Sequence, residues 1–227
     1  MRQIVLDTET TGIEISAGNR LIEIGCVELI GRVRTGVTYH TFINPQRDMP
    51  TEAFNIHGIS GEFLKDKPVF SKIAREFLDF IGNSQLIIHN AGFDVNFLNH
   101  ELGLLGMPQV KMGRVIDTLT MARKKFPGSP ASLDALCKRF NISLESRDKH
   151  GALIDAELLS MVYIELMGGA QSSMMLDKQE QEVRAAENEN VLQMAKEARN
   201  FPATETEIKA HKAMLEKIKN PKWESVS

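Results

Sequence analysis

The chain has 227 residues, enough for one full-sized domain and an extra segment at the usual ~100–200 residues per domain. Its 42% hydrophobic and 25% charged content excludes a disordered or membrane-embedded chain, and its two cysteines, Cys26 and Cys137, lack disulfide-framework or metal-site spacing and read as reduced, buried thiols. A formal net charge of -3 excludes a surface that holds nucleic acid by bulk attraction, so a DNA ligand needs bound cations or a partner.

In chain order, residues 3–9 read as a buried strand, and Met1 leads straight into it with no basic start or apolar leader. No later run approaches a membrane span, so a cytoplasmic protein is expected. Residues 21–30 form a partly alternating second strand. Residues 36–44 form a third, with Val37, Tyr39, Thr41 and Ile43 on one face. Short Gly-containing loops between the three predict an antiparallel meander. The stretch Thr51-Glu52-Ala53-Phe54-Asn55-Ile56-His57-Gly58-Ile59 reads as a capped helical turn followed by a loop.

The hydrophobic period then changes. Phe70, Ile73, Ala74, Phe77, Leu78 and Ile81 recur at helical spacing, followed by a short strand, Leu86-Ile87-Ile88, and a helix from about Phe93 to Leu105. A strand near Val115-Ile116 precedes helices over 118–125, 132–140 and 151–167, and Asp117 is placed to cap the first of these. The pattern predicts an α/β fold in which helices cover a mixed sheet. After Gly168-Gly169 the composition shifts to Gln, Glu, Asn, Ala and Met, which sets the expected domains at 1–170 and 171–227. In the second segment Val191, Met194, Ala195 and Ala198 predict an amphipathic helix.

Five polar residues stand at the ends of these core elements. Asp7-Thr8-Glu9 closes the first strand, and the two-residue period of a strand turns both carboxylates to one side. Side by side they repel, so they need a proton or a cation; Mg2+ and Mn2+ favour such oxygen ligands. An exposed strand end or a capping Asp would explain the pair taken alone. In His89-Asn90-Ala91-Gly92-Phe93-Asp94 an apolar strand ends in polar residues and Asp94 enters the first turn of a helix, as a cap or as part of a site beyond the strand ends. His150-Gly151-Ala152-Leu153-Ile154-Asp155 begins another helix. On a continuous helix its His and Asp would point well apart, so His150 is assigned to the preceding loop, from which it can reach toward Asp155.

Asp7-Thr8-Glu9-Thr10-Thr11-Gly12, the His-Asn-Ala-x-Phe-Asp run ending at Asp94, and His150-x4-Asp155-Ala156 resemble, in this order, the three motifs of the DEDD exonucleases of the histidine subtype. From Arg2 through Gly169 the chain is most similar to the epsilon proofreading subunits of bacterial DNA polymerase III. The resemblance implies a ribonuclease-H-like five-stranded mixed sheet and a helical C-terminal tail. It also implies two divalent cations, Mg2+ or Mn2+, held by Asp7, Glu9, Asp94 and Asp155, with His150 as general base for 3′-to-5′ removal of mispaired nucleotides as monophosphates. Glu52 and His57 are implied contacts to the terminal nucleotide, joining Asp7, Glu9 and Asp155. Thr10, Thr11 and Gly12 form a turn where backbone could approach that nucleotide, Phe93 is either a base-stacking ring or core, and Asn90 contacts substrate or satisfies backbone at the strand end.

In the tail, Gln171-Ser172-Ser173-Met174-Met175-Leu176 resembles the sliding-clamp-binding peptide of the same family, with Gln171, Met174 and Leu176 entering the clamp. The rest of the tail resembles the tether to the polymerase alpha subunit, and a small theta-like subunit is a further partner that the family brings. Two other functions fit the motifs: an RNA-trimming relative, since the motifs do not separate the sugars, and an adaptor with a decayed site. The complete set of five site residues opposes the adaptor.

Overall fold

The computed structural model describes residues 1–145, 149–168 and 203–218. Strand β1 (Arg2–Thr10) pairs antiparallel with β2 (Leu21–Ile30), which pairs antiparallel with β3 (Val33–Phe42), the expected meander. Short helices α1 (Thr51–His57) and α2 (Gly61–Leu64) and the longer α3 (Phe70–Ile81) lead to β4 (Gln85–Ile88), which lies parallel to β1 on its other side. Helix α4 (Ala91–Leu104) returns to β5 (Val115–Asp117), parallel to β4, followed by α5 (Thr118–Lys125), α6 (Leu133–Arg139) and α7 (Ala152–Leu166). The sheet order is β3-β2-β1-β4-β5, the five-stranded mixed sheet that the resemblance implied.

Strand alternation sorts the core. Ile4 and Leu6 face one side of the sheet and pack with Phe77 of α3 and Val95 and Leu98 of α4; Val5 faces the other and packs with Ala156, Leu159 and Tyr163 of α7. A third cluster fastens α5 and α6 to α7 through Ala122, Leu136, Cys137, Leu158 and Val162. Both cysteines are buried and reduced, as expected. Burial pushes the Cys26 thiol well up, which keeps it a thiol.

Several boundaries differ from expectation. Strand β3 begins at Val33 and ends at Phe42, so Ile43 follows the strand while remaining buried. As the edge strand, β3 leaves Val37 exposed although Tyr39 is buried, and its pairing with β2 slips between Val27 and Leu29. Helix α1 has no side-chain cap because Pro50 occupies the capping position, and the 3-10 turn Ile15–Ala17 and α2 carry too few apolar residues to register as periodic elements. Asp117 does cap α5, accepting from the Leu119 amide at 2.9 Å.

The chain divides into two units, Met1–Met174 and Met175–Ser227. In the second, α8 (Glu205–Leu215) begins with a capping box in which the Thr204 hydroxyl accepts from the Glu207 amide and the Glu207 carboxylate accepts from the Thr204 amide. The expected helix around Val191 and Ala198 and the clamp-like residues Gln171, Met174 and Leu176 lie outside the described residues. No helix among the described residues is long and apolar enough to cross a membrane.

Candidate active site

The site begins with the alternation of β1. Val5 faces α7, so Asp7 and Glu9, two and four residues on, face α7 as well. Thr8 points to the other side, where its hydroxyl donates to Asp94 Oδ1 at 2.7 Å. Asp94 stands in the first turn of α4 and is buried. The αL conformation of Asn90 (φ 62°) turns the chain from β4 into that helix, and its amide donates to Asp117 Oδ1.

Asp155, also buried, occupies the first turn of α7. It arrives beside β1 because of a glycine. Asp7 pairs with Gly25 across the β1/β2 ladder, and a Cβ at Gly25 would stand 2.3 Å from the Ala152 carbonyl carbon and the Leu153 amide nitrogen. Only a residue without a side chain lets the start of α7 lie directly on β2. This positioning residue lies inside the strand expected over 21–30; a glycine within a buried strand was the available signal.

His150 sits in the loop before α7, as expected, with its ring half exposed and its Nδ1 3.2 Å from Asp155 Oδ2. With Asp155 ionised, Nδ1 donates in this contact and Nε2 is the nitrogen able to accept a proton. One ligand atom each from Glu9, His150 and Asp155 lie within 4.8 Å of one another. Asp7 adjoins them: loss of water raises its pKa well above the usual carboxylate range, and the charges of Asp94, Glu9, Asp155 and Glu23 raise it further. Burial likewise pushes Asp94 up to about 7 despite the Thr8 hydrogen bond.

The donor set fits divalent cations. Burial and the neighbouring acidic charges favour the protonated form of Asp7, burial favours that of Asp94, and cations relieve both the repulsion and the desolvation. Among the described residues no Lys or Arg forms an ion pair with Asp7 or Asp94.

The other expected contacts are distributed around this centre. His57 is buried at the end of α1, its Nδ1 accepting from the Ile59 amide at 3.0 Å, and burial lowers its pKa, with Glu23, Lys149 and His150 as its titratable neighbours. Glu52 is exposed in the first turn of the same helix. The Thr10 hydroxyl donates to the Gly12 carbonyl at 2.7 Å and the Thr11 hydroxyl to Asn19 Oδ1 at 3.0 Å, so the turn is tied internally. Phe93 is half-buried with its ring 5.0 Å from that of Phe97. Asn90 lines a cleft of about 440 Å³ that opens beside Asp7, His150 and Asp155. Sequence reasoning also missed Glu23, which faces Glu9 in the β1/β2 register; buried, it takes a 2.7 Å contact from His40 Nε2.

The sequence profile of the exonuclease family matches residues 4–163. The DNA polymerase III subunit epsilon of Rickettsia conorii is 51% identical, with 96% of each chain covered, and that of Escherichia coli is 44% identical, covering 96% of this chain and 93% of its own. Among solved structures, exonuclease X in complex with 5′-overhanging duplex DNA superposes with a TM-score of 0.58 at 25% identity, over 73% of this chain and 90% of that one. The nuclease domain of 3′hExo, a DEDDh family member bound to rAMP, shares the fold, with a TM-score of 0.63 at 15% identity over 73% and 91%. By both profile and relatives, this chain belongs to the exonuclease family, in the group of the DNA polymerase III epsilon subunits.

Proposed function

We propose that the cluster of Asp7, Glu9, Asp94, His150 and Asp155 removes mispaired 3′ nucleotides from DNA, one at a time and as nucleoside monophosphates, within a bacterial DNA polymerase III assembly. The observation that carries this reading is the convergence of Glu9, His150 and Asp155 within 4.8 Å, on the face of β1 that Asp7 shares.

Asp7, Glu9, Asp94 and Asp155 would hold two divalent cations, Mg2+ or Mn2+. Bound there, such ions neutralise the scissile phosphate and acidify the attacking water. His150 takes the water's proton at Nε2, while its Nδ1 proton, shared with Asp155 Oδ2, holds the ring's orientation. Its half-exposed ring keeps that proton in exchange with solvent. Glu52 and His57 contact the terminal nucleotide from the α1 side, with Thr10, Thr11 and Gly12 shaping the floor. The packing of Phe93 on Phe97 favours a supporting role over base stacking.

The net charge of -3 and the acidic site favour delivery of DNA by partners. The segment 171–176, with Gln171, Met174 and Leu176, would bind the sliding clamp and the remaining tail the polymerase alpha subunit, with a small theta-like subunit as a further companion. A cytoplasmic location follows from such an assembly.

A 3′-mispaired primer-template, matched DNA and RNA, each with Mg2+, Mn2+ or chelator and with or without the polymerase subunit, tests this. Preferred, metal-dependent trimming of the mispaired DNA is expected; cleavage that survives chelation would sink the reading. His150→Ala should lower turnover by about 100-fold or more and leave metal binding in place, whereas Asp7→Ala should weaken metal binding itself. Calorimetric metal titrations separate the two, and loss of binding in the His150 variant would make that ring a ligand instead of a base.

A further inference from the structure

The proposed reaction leaves one problem: an anionic strand must lie in a cleft whose floor is acidic. Among the described residues lining the cleft, Arg123 is the one permanent cation. It projects from the last turn of α5, is exposed, and forms no ion pair among the described residues. Its charge is near enough to act on the His89 ring, which is anchored on Thr118 Oγ1 at 2.9 Å.

Strand order sets the direction of approach. On the β2 side of β1 lie Glu23 and the buried His57, the side read above as holding the terminal nucleotide. On the β4/β5 side lie Asn90 and α5, and the cleft runs that way from Asp7, past Asn90, to Leu119, Arg123 and Leu133. Leu119 and Leu133 offer an apolar wall to a sugar or base, and Arg123 a planar fork to a phosphate.

We propose that Arg123 binds the phosphate one link 5′ of the scissile bond, so that it holds the retained strand while the terminal nucleotide is cut away. The assignment rests on the 3′-exonuclease reading above and makes Arg123 a substrate-positioning residue with no part in the bond chemistry.

The test compares two substrates with the full chain and Mg2+: a single-stranded oligodeoxynucleotide, and the p-nitrophenyl ester of thymidine 5′-monophosphate, which has one phosphodiester and nothing upstream. Arg123→Ala should reduce kcat/KM on the oligonucleotide about 10-fold, mostly through KM. It should also flatten the slope of log(kcat/KM) against log salt by about 0.7, the share of one phosphate contact on a single strand. Hydrolysis of the ester should change far less, and Arg123→Lys should restore the salt slope. Equal losses on both substrates would place Arg123 at the scissile phosphate or in the fold and overturn the proposal, as would an unchanged oligonucleotide KM and salt slope. A wild-type protein inactive on both substrates would overturn the exonuclease reading itself, and the assignment with it.

Discussion

Helix α4 carries two buried carboxylates two turns apart on one face, Asp94 at 3% exposure and Glu101 at 2%, and they are treated in opposite ways. Glu101 receives both arms of the Arg20 guanidinium, Nε at 2.7 Å and Nη2 at 2.6 Å. Asp94 receives a hydroxyl from Thr8 and no basic side chain among the described residues. The Glu101 pair raises the Arg20 pKa, whereas burial pushes Asp94 up to about 7. A carboxylate whose counter-charge is built in belongs to the scaffold. One that is buried without a protein cation is stable as an anion only when a cation arrives, and that separates a binding site from a structural ion pair.

Exchanging the charge at each position should produce opposite signs. Asp94→Asn should lower exonuclease turnover by more than about 100-fold, since even residues behind a metal ligand cost 10–100-fold, yet raise the thermal midpoint of the metal-free protein. Glu101→Ala should cost about 1–3 kcal/mol in denaturant unfolding by removing the carboxylate that pairs the part-buried Arg20, with metal titration of the folded fraction unchanged. Equal destabilisation by both substitutions would erase the distinction.

Gly25→Ala probes geometry without touching any charge. The added methyl must displace the start of α7 from β2, and Asp155 moves with it. A misplacement of about 1 Å is enough for roughly a 100-fold loss of turnover, measurable on an oligonucleotide with Mg2+. Retained turnover would show that α7 reaches its place by other contacts.

The smallest expected effect is on pH and metal dependence. Folded Asp94 binds its proton more tightly than the unfolded chain, where an Asp titrates near ~3.9. Its contribution to stability is therefore full below about pH 4 and is lost as pH climbs through about 7, and the raised pKa of Asp7 acts in the same direction. The difference in thermal midpoint between wild type and Asp94→Asn, without metal, should accordingly widen against the wild type from pH 4 to pH 7. Mn2+ at about 100 times its Kd should return about 2.7 kcal/mol near pH 7.5 and less at pH 5, where protons compete for the same oxygens. A pH-independent difference would mean that Asp94 is not held up by burial.

Much of this was legible residue by residue. The two-residue period of a strand put Asp7 and Glu9 on one side of β1, because that period is a local property of the backbone, whereas the packing of Val5 on α7 decided which side it is. The stripe from Phe70 to Ile81 marked α3, and the loop position of His150 followed from helix angles alone. The 3-10 turn and α2 escaped because they are too short to show a period, and other features escaped because their reasons lie elsewhere in the chain: the exposure of Val37 depends on β3 being an edge, and the role of Thr8 on where α4 begins.

By itself the sequence determined the longer strands and helices, the chain order of the three motifs and the pairing of two carboxylates on one strand face, all of which depend on neighbours within a few residues. Tertiary structure alone decided that Gly25 admits α7, that Asp155 and His150 meet Glu9, that Arg20 neutralises Glu101 while no cation among the described residues pairs with Asp94, and that Arg123 enters the cleft. The reason is physical: burial and counter-charge arise from contacts between segments that are far apart in the chain, and no local periodicity encodes which of two similar carboxylates will receive one.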